Sequence, residues 1–201
     1  GRTDSGVHAH KMIAHFDAKF HSNPNSDFVY KLNQFLPEDI SVNSIRRVKD
    51  DAHARFDALS RTYEYFINSK KTPFGNEFHY NLDQSLDIKA MKEATKLLIQ
   101  YDNFECFSKS RTDVKTFICN ISFADWTLIE NGYKFTITAN RFLRNMVRAI
   151  VGTILDIGLK KKFLDDLVKI IENKDRSLAG FSVPAKGLFL KEIEYPKNIY
   201  L

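Results

Sequence analysis

The sequence is poor in the features that would assign it to several large protein classes. It has two cysteines, Cys106 and Cys119, thirteen positions apart and without CxxC spacing, so neither a disulfide framework nor a zinc knuckle is indicated. No apolar run approaches the ~20 residues a membrane-spanning helix needs, and no signal peptide precedes Gly1, which reads as a cytoplasmic chain without a membrane partner. Low-complexity tracts and fixed-period repeats are missing as well, which argues against linkers and solenoids. Acidic residues are outnumbered by Lys and Arg, 25 to 30, at a sequence pI of about 9.1. That mild excess makes anionic partners more probable than cationic ones and suits RNA, DNA or a phosphorylated metabolite. With 43% hydrophobic and 27% charged residues in 201, the chain is globular and suits one large or two small domains.

Periodicity predicts an alternation of strands and helices. Two-residue alternation marks strands over 11–17, 40–48, 55–67, 121–129, 133–139 and 186–195. In the third of these Arg61, Tyr63 and Tyr65 share one face and Thr62, Glu64 and Phe66 the other. Helical spacing marks 25–35, 86–100, 142–157 and 163–173. Glu130-Asn131-Gly132 between two strand-like runs is a strong hairpin signal. The rhythm points to an α+β protein with largely antiparallel sheet. Most of the seventeen phenylalanines fall on periodic apolar faces and read as core.

Two stretches carry possible chemistry. In GRTDSGVHAH, Asp4 stands between Arg2 and a Ser5-Gly6 step. Gly6 allows positive φ, so the loop can hold the carboxylate outward, and Arg2 is within reach of a local ion pair. A nucleophilic or metal-binding carboxylate would be displayed this way, as would a polar turn. His8 and His10 add an HxH spacing that can imitate a zinc site. No further His/Asp cluster has ligand spacing, and no metal is expected. In NRFLRNMVRAIVGTIL, residues 140–155, Arg141, Arg144 and Arg148 gather on one side of a predicted helix, opposite its apolar face and with no acidic residue among them. Such a stripe is either a solvated face or a set of guanidinium groups awaiting carboxylate and phosphate partners.

Five segments in order carry a resemblance to a known family. GRTDSGVHAH at 1–10, FLPEDISV at 35–42, HARFDALSRTYEY at 53–65, NRFLRNMVRAIVGTIL at 140–155 and AKGLFLKEIEYP at 185–196 resemble the successive signatures of tRNA pseudouridine synthase A, the TruA family. The resemblance implies a pseudouridine synthase fold, with two ferredoxin-like (RRM-like) α/β halves of mainly antiparallel sheet flanking a central catalytic cleft. Residues 1–54 would be the remainder of the N-terminal half carrying the catalytic loop, and 55–201 the C-terminal half. It also implies that a strand and a helix of the first half precede the GRTD loop, so the chain as given is expected to be weakly active or inactive alone.

The implied reaction detaches uracil from ribose, rotates it and rejoins it through C5, with no cofactor. By the resemblance Asp4 is the catalytic carboxylate. It either attacks the ribose C1′ or assists removal of a ribose proton, and these two routes stay open. Arg148 matches the arginine that pairs with that carboxylate, and Arg2 one that helps extrude the target nucleotide. Tyr63 matches the tyrosine packed on the flipped uracil, and Leu188 the apolar residue on the opposite wall. Arg55, Arg61, Arg141 and Arg144 are candidate phosphate contacts. Implied targets are uridines 38, 39 and 40 of the tRNA anticodon stem-loop, bound by a homodimer. Two alternatives stand beside this reading: a noncatalytic RNA-binding module, which needs the basic surface but not Asp4, and a metal-dependent hydrolase built on Asp4, His8 and His10.

Overall fold

A computed structural model describes residues 2–19, 26–109 and 114–201. Its scaffold is one open mixed sheet with helices packed on it. Four long strands are antiparallel neighbours: β2 (Ser60–Asn68), β4 (Ile121–Ile129), β5 (Gly132–Ala139) and β6 (Leu188–Glu194). Two short strands, β1 (His8–Ala9) and β3 (Tyr80–Asn81), pair in parallel with β6 and β2. The order is β1-β6-β2-β5-β4, with β3 also on β2. The helices are α1 (Ser26–Asn33), α2 (Ile88–Leu98), α3 (Met146–Gly158) and α4 (Leu164–Asn173). Among the described residues no helix is long and apolar enough to cross a membrane.

The β4–β5 hairpin turns on Glu130-Asn131, with Gly132 already in the ladder. A glycine is required there because a Cβ would lie 2.0 Å from the Ile67 carbonyl oxygen of β2. One face of the sheet, including Tyr65, Ile67, Trp126, Phe135 and Ile137, packs on Met91 and Leu98 of α2 and on Met146, Ile150 and Ile154 of α3. Trp126 brings its indole N–H into this core, where it donates to Thr95 Oγ1 at 3.1 Å, and Thr95 in turn donates to the Met91 carbonyl. The ring is therefore buried without an unmet donor. On the other face Glu64 is buried between Lys134 and Lys191, at 3.0 and 2.9 Å. Burial alone would raise its pKa, but the two ammonium groups outweigh that and lower it.

Several expected elements take a different form. Residues 11–17 are not a strand: the parallel pairing with β6 ends after Ala9, apart from a last bond from His10 N to the Leu190 carbonyl. Met12, Ala14 and Phe16 are exposed, while Ile13 packs with Ala58, Leu190 and Ile193. The alternation was present in the sequence, but the backbone beyond His10 finds no ladder partner among the described residues. Residues 40–48 are irregular, with a single bridge from Val48 to Tyr200. The Asn33 side chain replaces a neighbouring strand there, accepting from Val42 N at 2.7 Å and donating to Val42 O at 2.9 Å. The strand expected from residue 55 begins at Ser60, because 53–58 is a tight loop in which Asp57 Oδ2 accepts from His53 N. Residue 25, at the expected start of the first helix, lies outside the described residues.

The largest difference is at α3. The helix begins at Met146, since Asn145 sits in the left-handed region at φ 67° and breaks the pattern expected from residue 142. Arg141 and Arg144 therefore precede the helix, and the basic stripe does not exist. Within α3 only Arg148 and Asp156 escape burial. The side opposite the sheet is covered by the 176–183 loop, where Gly180 N donates to Thr153 Oγ1 at 2.8 Å and a Cβ on Gly152 would lie 1.8 Å from the Phe181 carbonyl oxygen. Gly152→Ala is accordingly expected to destabilise the fold by about 1–3 kcal/mol or more, because the obstructing atom is backbone. A thermal melt of the variant matching wild type would contradict this packing.

Ala54 is the first buried position among the described residues. The amides of residues 26–53 are therefore expected to exchange hydrogen faster than those of β2, β5 and α3, since few buried apolar contacts hold them. Hydrogen-exchange mass spectrometry reads this directly, and equal protection would point to a second core around α1.

Candidate active site

Asp4 is delivered by a tight turn. Val7 N donates to the Asp4 carbonyl at 3.2 Å, and Gly6 holds φ +78°, the conformation for which glycine is suited. The segment then docks on β6 through His8↔Phe189 and Ala9↔Leu190, and Gly6 stands against Ala185 just before that strand. This places Asp4 at the first turn of α3. Arg148 Nη1 lies 3.3 Å from Asp4 Oδ2, while Arg148 Nε donates to the Val183 carbonyl at 2.7 Å. The guanidinium is thus fixed by backbone on one edge and faces the carboxylate with the other. Both side chains keep about a fifth to a quarter of their exposure, 21% and 25%, so the pair is sheltered yet open to a substrate. The 3.3 Å separation is longer than a tight charge-assisted bond, and such contacts often shorten when substrate closes the site.

Tyr63 on β2 lies within the electrostatic reach of Asp4. Burial pushes its phenol up, Arg61 opposes the rise and the Asp4 charge adds to it. The ring is neutral at physiological pH and meets Phe142 edge to face at 5.2 Å. Leu188 is 5% exposed, lies opposite Tyr65 in the β2–β6 register and belongs to the main core. Tyr65 donates to the Pro184 carbonyl at 2.9 Å and shares this corner with Gly187, where a Cβ would lie 2.8 Å from the Tyr65 ring. Together these contacts hold the chain leading into β6 against the Asp4 turn.

The remaining candidates are spread around this centre. Arg2 is exposed, and the ion pair of Asp4 is made with Arg148 instead of this near neighbour. Arg55 is exposed, with its guanidinium 5.5 Å from the Phe56 ring centroid. Arg61 donates to the carbonyls of Ala58 at 2.9 Å, Asn140 at 2.6 Å and Arg55, which ties the 55–59 loop to the end of β5. Burial lowers its pKa, with Tyr195 and Tyr63 opposing and the nearby Arg55 and Arg141 charges adding. Arg141 is half-buried and Arg144 exposed. His8 and His10 both stack on Phe189, at 4.9 Å, and among the described residues no three His, Cys, Asp or Glu groups come together as a metal would need. Cys106 and Cys119 are free and buried, and burial pushes their thiols up to about 12 and about 11, which makes them unreactive.

Sequence patterns passed over one part of the site. Arg148 also lines a cleft of about 500 Å3 together with Lys109, Asn145, Arg176 and Ser182. Lys109 and Arg176 lie in loops after the Glu105–Phe107 turn and after α4, where no periodicity marks them. Their only trace in the sequence is the basic surplus.

The arrangement joins an anchored carboxylate, a neutral aromatic wall and a positive cleft. A carboxylate so held can attack an electrophilic carbon or accept a proton. Comparison with known proteins bears on which chemistry applies. A family model described as tRNA pseudouridine synthase matches residues 94–196. A protein named tRNA pseudouridine synthase A from Bacteroides fragilis is 51% identical over 201 residues, covering all of this chain and 80% of the relative. The proteins of that name from Parabacteroides distasonis and Bacillus subtilis are 52% and 40% identical, covering 100% and 97% of this chain and 79% of each relative. Half of all positions shared from one end of the chain to the other, the Asp4 turn included in the aligned length, is more than a common fold requires, and the chain belongs to the tRNA pseudouridine synthase A family.

Proposed function

We propose that this protein isomerises uridine to pseudouridine in tRNA, with Asp4 as the reacting carboxylate and Arg148 as its electrostatic partner. The observation that carries this reading is the 3.3 Å contact between Arg148 Nη1 and Asp4 Oδ2 across 144 positions of sequence. The glycosidic bond of a stacked uridine cannot reach a carboxylate lodged between α3 and β6, so the nucleotide is flipped out, and Tyr63 supplies a flat neutral surface for the base. Asp4 then either bonds to C1′ as uracil leaves or takes a ribose proton. The freed base turns and C5 bonds to C1′ while the Asp4–C1′ bond breaks or, in the second route, while the ribose regains its proton; the C5 proton passes to solvent, N1 ends protonated and Asp4 is restored. The change is redox-neutral and needs no cofactor.

In this reading Arg2 helps displace the uridine, Leu188 backs the pocket, and Arg55, Arg141 and Arg144 meet backbone phosphates, with Arg61 holding the loop that carries Arg55. The targets are uridines of the anticodon stem-loop. Residues 1–54 carry the catalytic turn of one ferredoxin-like half and 55–201 form the other, a division supported by a core that begins at Ala54. A cytoplasmic homodimer grips one tRNA. Exposed Phe123 and Leu128 on the edge strand β4 supply apolar surface for such an association.

Tritium release from tRNA carrying 5-tritiated uridine, with EDTA present, tests the function. Release that continues under chelation, with pseudouridine recovered from the product, is expected. Hydrolysis that EDTA stops would favour a metal-dependent hydrolase, and tight binding without release a noncatalytic RNA-binding module.

A further inference from the structure

The segment 180–184, which carries the main-chain partner of Arg148, is tied down along its length. Gly180 N donates to Thr153 Oγ1 at 2.8 Å, and the Pro184 carbonyl accepts the Tyr65 hydroxyl at 2.9 Å. Between them Val183 is bonded twice to one residue: its N–H donates to the Arg148 carbonyl at 3.2 Å, and its own carbonyl accepts from Arg148 Nε at 2.7 Å. A guanidinium is planar, so a bond at Nε sets the direction in which Nη1 points, here toward Asp4 Oδ2 at 3.3 Å. The aim of Arg148 is therefore set by where the Val183 carbonyl lies. Two side chains with no role in the reading above reach this segment at Ser182, the residue before Val183. The first is Arg176. α4 stops at Lys174, which holds the left-handed region at φ 55°, and Asp175 Oδ1 then accepts from Ser177 N at 2.7 Å. This turn sends Arg176 back across the loop, where Nη1 donates to the Gly180 carbonyl at 3.1 Å and Nη2 to Ser182 Oγ at 2.9 Å. The second is Asn145, whose Nδ2 also donates to Ser182 Oγ. An asparagine at the start of a helix ordinarily spends its side chain on a free N–H of the first turn. Asn145 makes no such cap on α3 and serves Ser182 instead.

We propose that Arg176, acting through Ser182, is a positioning residue for the reaction: it holds the Val183 carbonyl in the place from which Arg148 is aimed at Asp4. This rests on the tRNA-isomerising function proposed above. Ser182 Oγ is the joint, since both of its accepted bonds come from side chains anchored outside the segment, one at the end of α4 and one at the start of α3. Loss of either partner frees the peptide on which Arg148 Nε rests. A charge displaced by about an ångström from a reacting group can cost up to about a hundredfold in rate. Here the remaining bonds of Gly180, Val183 and Pro184 limit the drift, and the loss is about tenfold. Arg176 and Ser182 affect the rate without touching the reacting atoms.

The test is a mutant cycle read by tritium release. Arg176→Gln and Ser182→Ala are each measured with Arg148 in place and again with Arg148→Ala. With Arg148 in place, both are expected to lower kcat about tenfold and to leave KM within about twofold. With Arg148→Ala, neither should lower kcat by more than about twofold further, because the group they aim is gone. Ser182→Thr keeps the hydroxyl and should stay within about threefold of wild type. Since Arg176 also braces its loop, Ser182→Ala repeats the cycle while leaving the Gly180 bonds to Thr153 and Arg176 in place. A raised KM at unchanged kcat would make Arg176 an RNA contact, and equal losses with and without Arg148 would make its role one of general stability. Either overturns the proposal, as does an unchanged kcat in both variants. Solvent exchange of the Arg148 Nε proton, followed by NMR without RNA, reads the same clamp and should speed up about tenfold in both variants. Should wild type release no tritium, the function fails, and this exchange still decides the clamp: faster exchange upholds it and unchanged exchange overturns it.

Discussion

Asp4→Asn is expected to remove isomerisation by at least about a thousandfold while leaving tRNA affinity within about threefold, the pattern of a lost reacting group and an intact binding surface. Asparagine preserves the shape of the side chain, and its amide oxygen still faces Arg148 Nη1. The turn is unaffected, because Val7 N bonds to the Asp4 main-chain carbonyl and Gly6 supplies the positive φ. What the substitution removes is the negative charge. An amide oxygen is too weak a nucleophile to open the glycosidic bond and too weak a base to take a ribose proton. Both chemical routes therefore predict the same loss. Single-turnover tritium release and filter binding on the same preparation give the two numbers, and a variant turning over within tenfold of wild type would remove Asp4 from the chemistry.

Arg144→Ala and Arg148→Ala are expected to separate, although the two residues lie four apart in the sequence. Arg148 donates to Val183 O and faces Asp4. Its truncation leaves a carbonyl without its partner and the carboxylate without its counter-charge, and turnover should fall by about a hundred- to a thousandfold, as when one preorganised donor is lost from an active site. Arg148→Lys keeps the charge but not the planar fork, so it cannot serve Val183 and Asp4 together and should restore only a minor part of the rate. Arg144 is exposed and precedes α3, and its main-chain carbonyl holds Lys109 N whatever the side chain. Arg144→Ala should weaken tRNA binding several-fold, reduce the salt slope by about one and leave saturated turnover nearly unchanged. Equal, small effects from both would mean that neither side chain meets substrate or carboxylate.

Local pattern carried much of the architecture. The two-residue period within 55–67, 121–129 and 133–139 and the helical period of 86–100 and 163–173 became, with shifted ends, β2, β4, β5, α2 and α4, because each burial pattern is satisfied by one face packing on the same core. The Asp4 turn was legible for a similar reason: a glycine at a positive-φ position acts on its own neighbours. The five ordered segments carried the family as well. Pattern failed where the deciding partner is distant in sequence. Residues 11–17 alternate like a strand, but a strand exists only where another backbone accepts its hydrogen bonds, and β6 accepts them only as far as His10.

The arginine stripe failed on a single dihedral. Asn145 adopts the left-handed conformation, and one such residue ends the regular spacing that put three arginines on one face. The polar side that the pattern assigned to α3 is covered by the 176–183 loop, whose close approach depends on Gly152 and Gly180 and is invisible to periodicity. Alternation, the positions of the turns, the basic surplus and the family resemblance were all legible in the order of the residues. The pairing of Arg148 with Asp4 was implied by the family resemblance and not by local pattern, which pointed to Arg2. The sharing of a cleft by Lys109 and Arg176 with Arg148 came from the packed fold, because these contacts join segments from 28 to 144 positions apart, and the range of a sequence pattern is a few residues while that of a packed core is the whole chain.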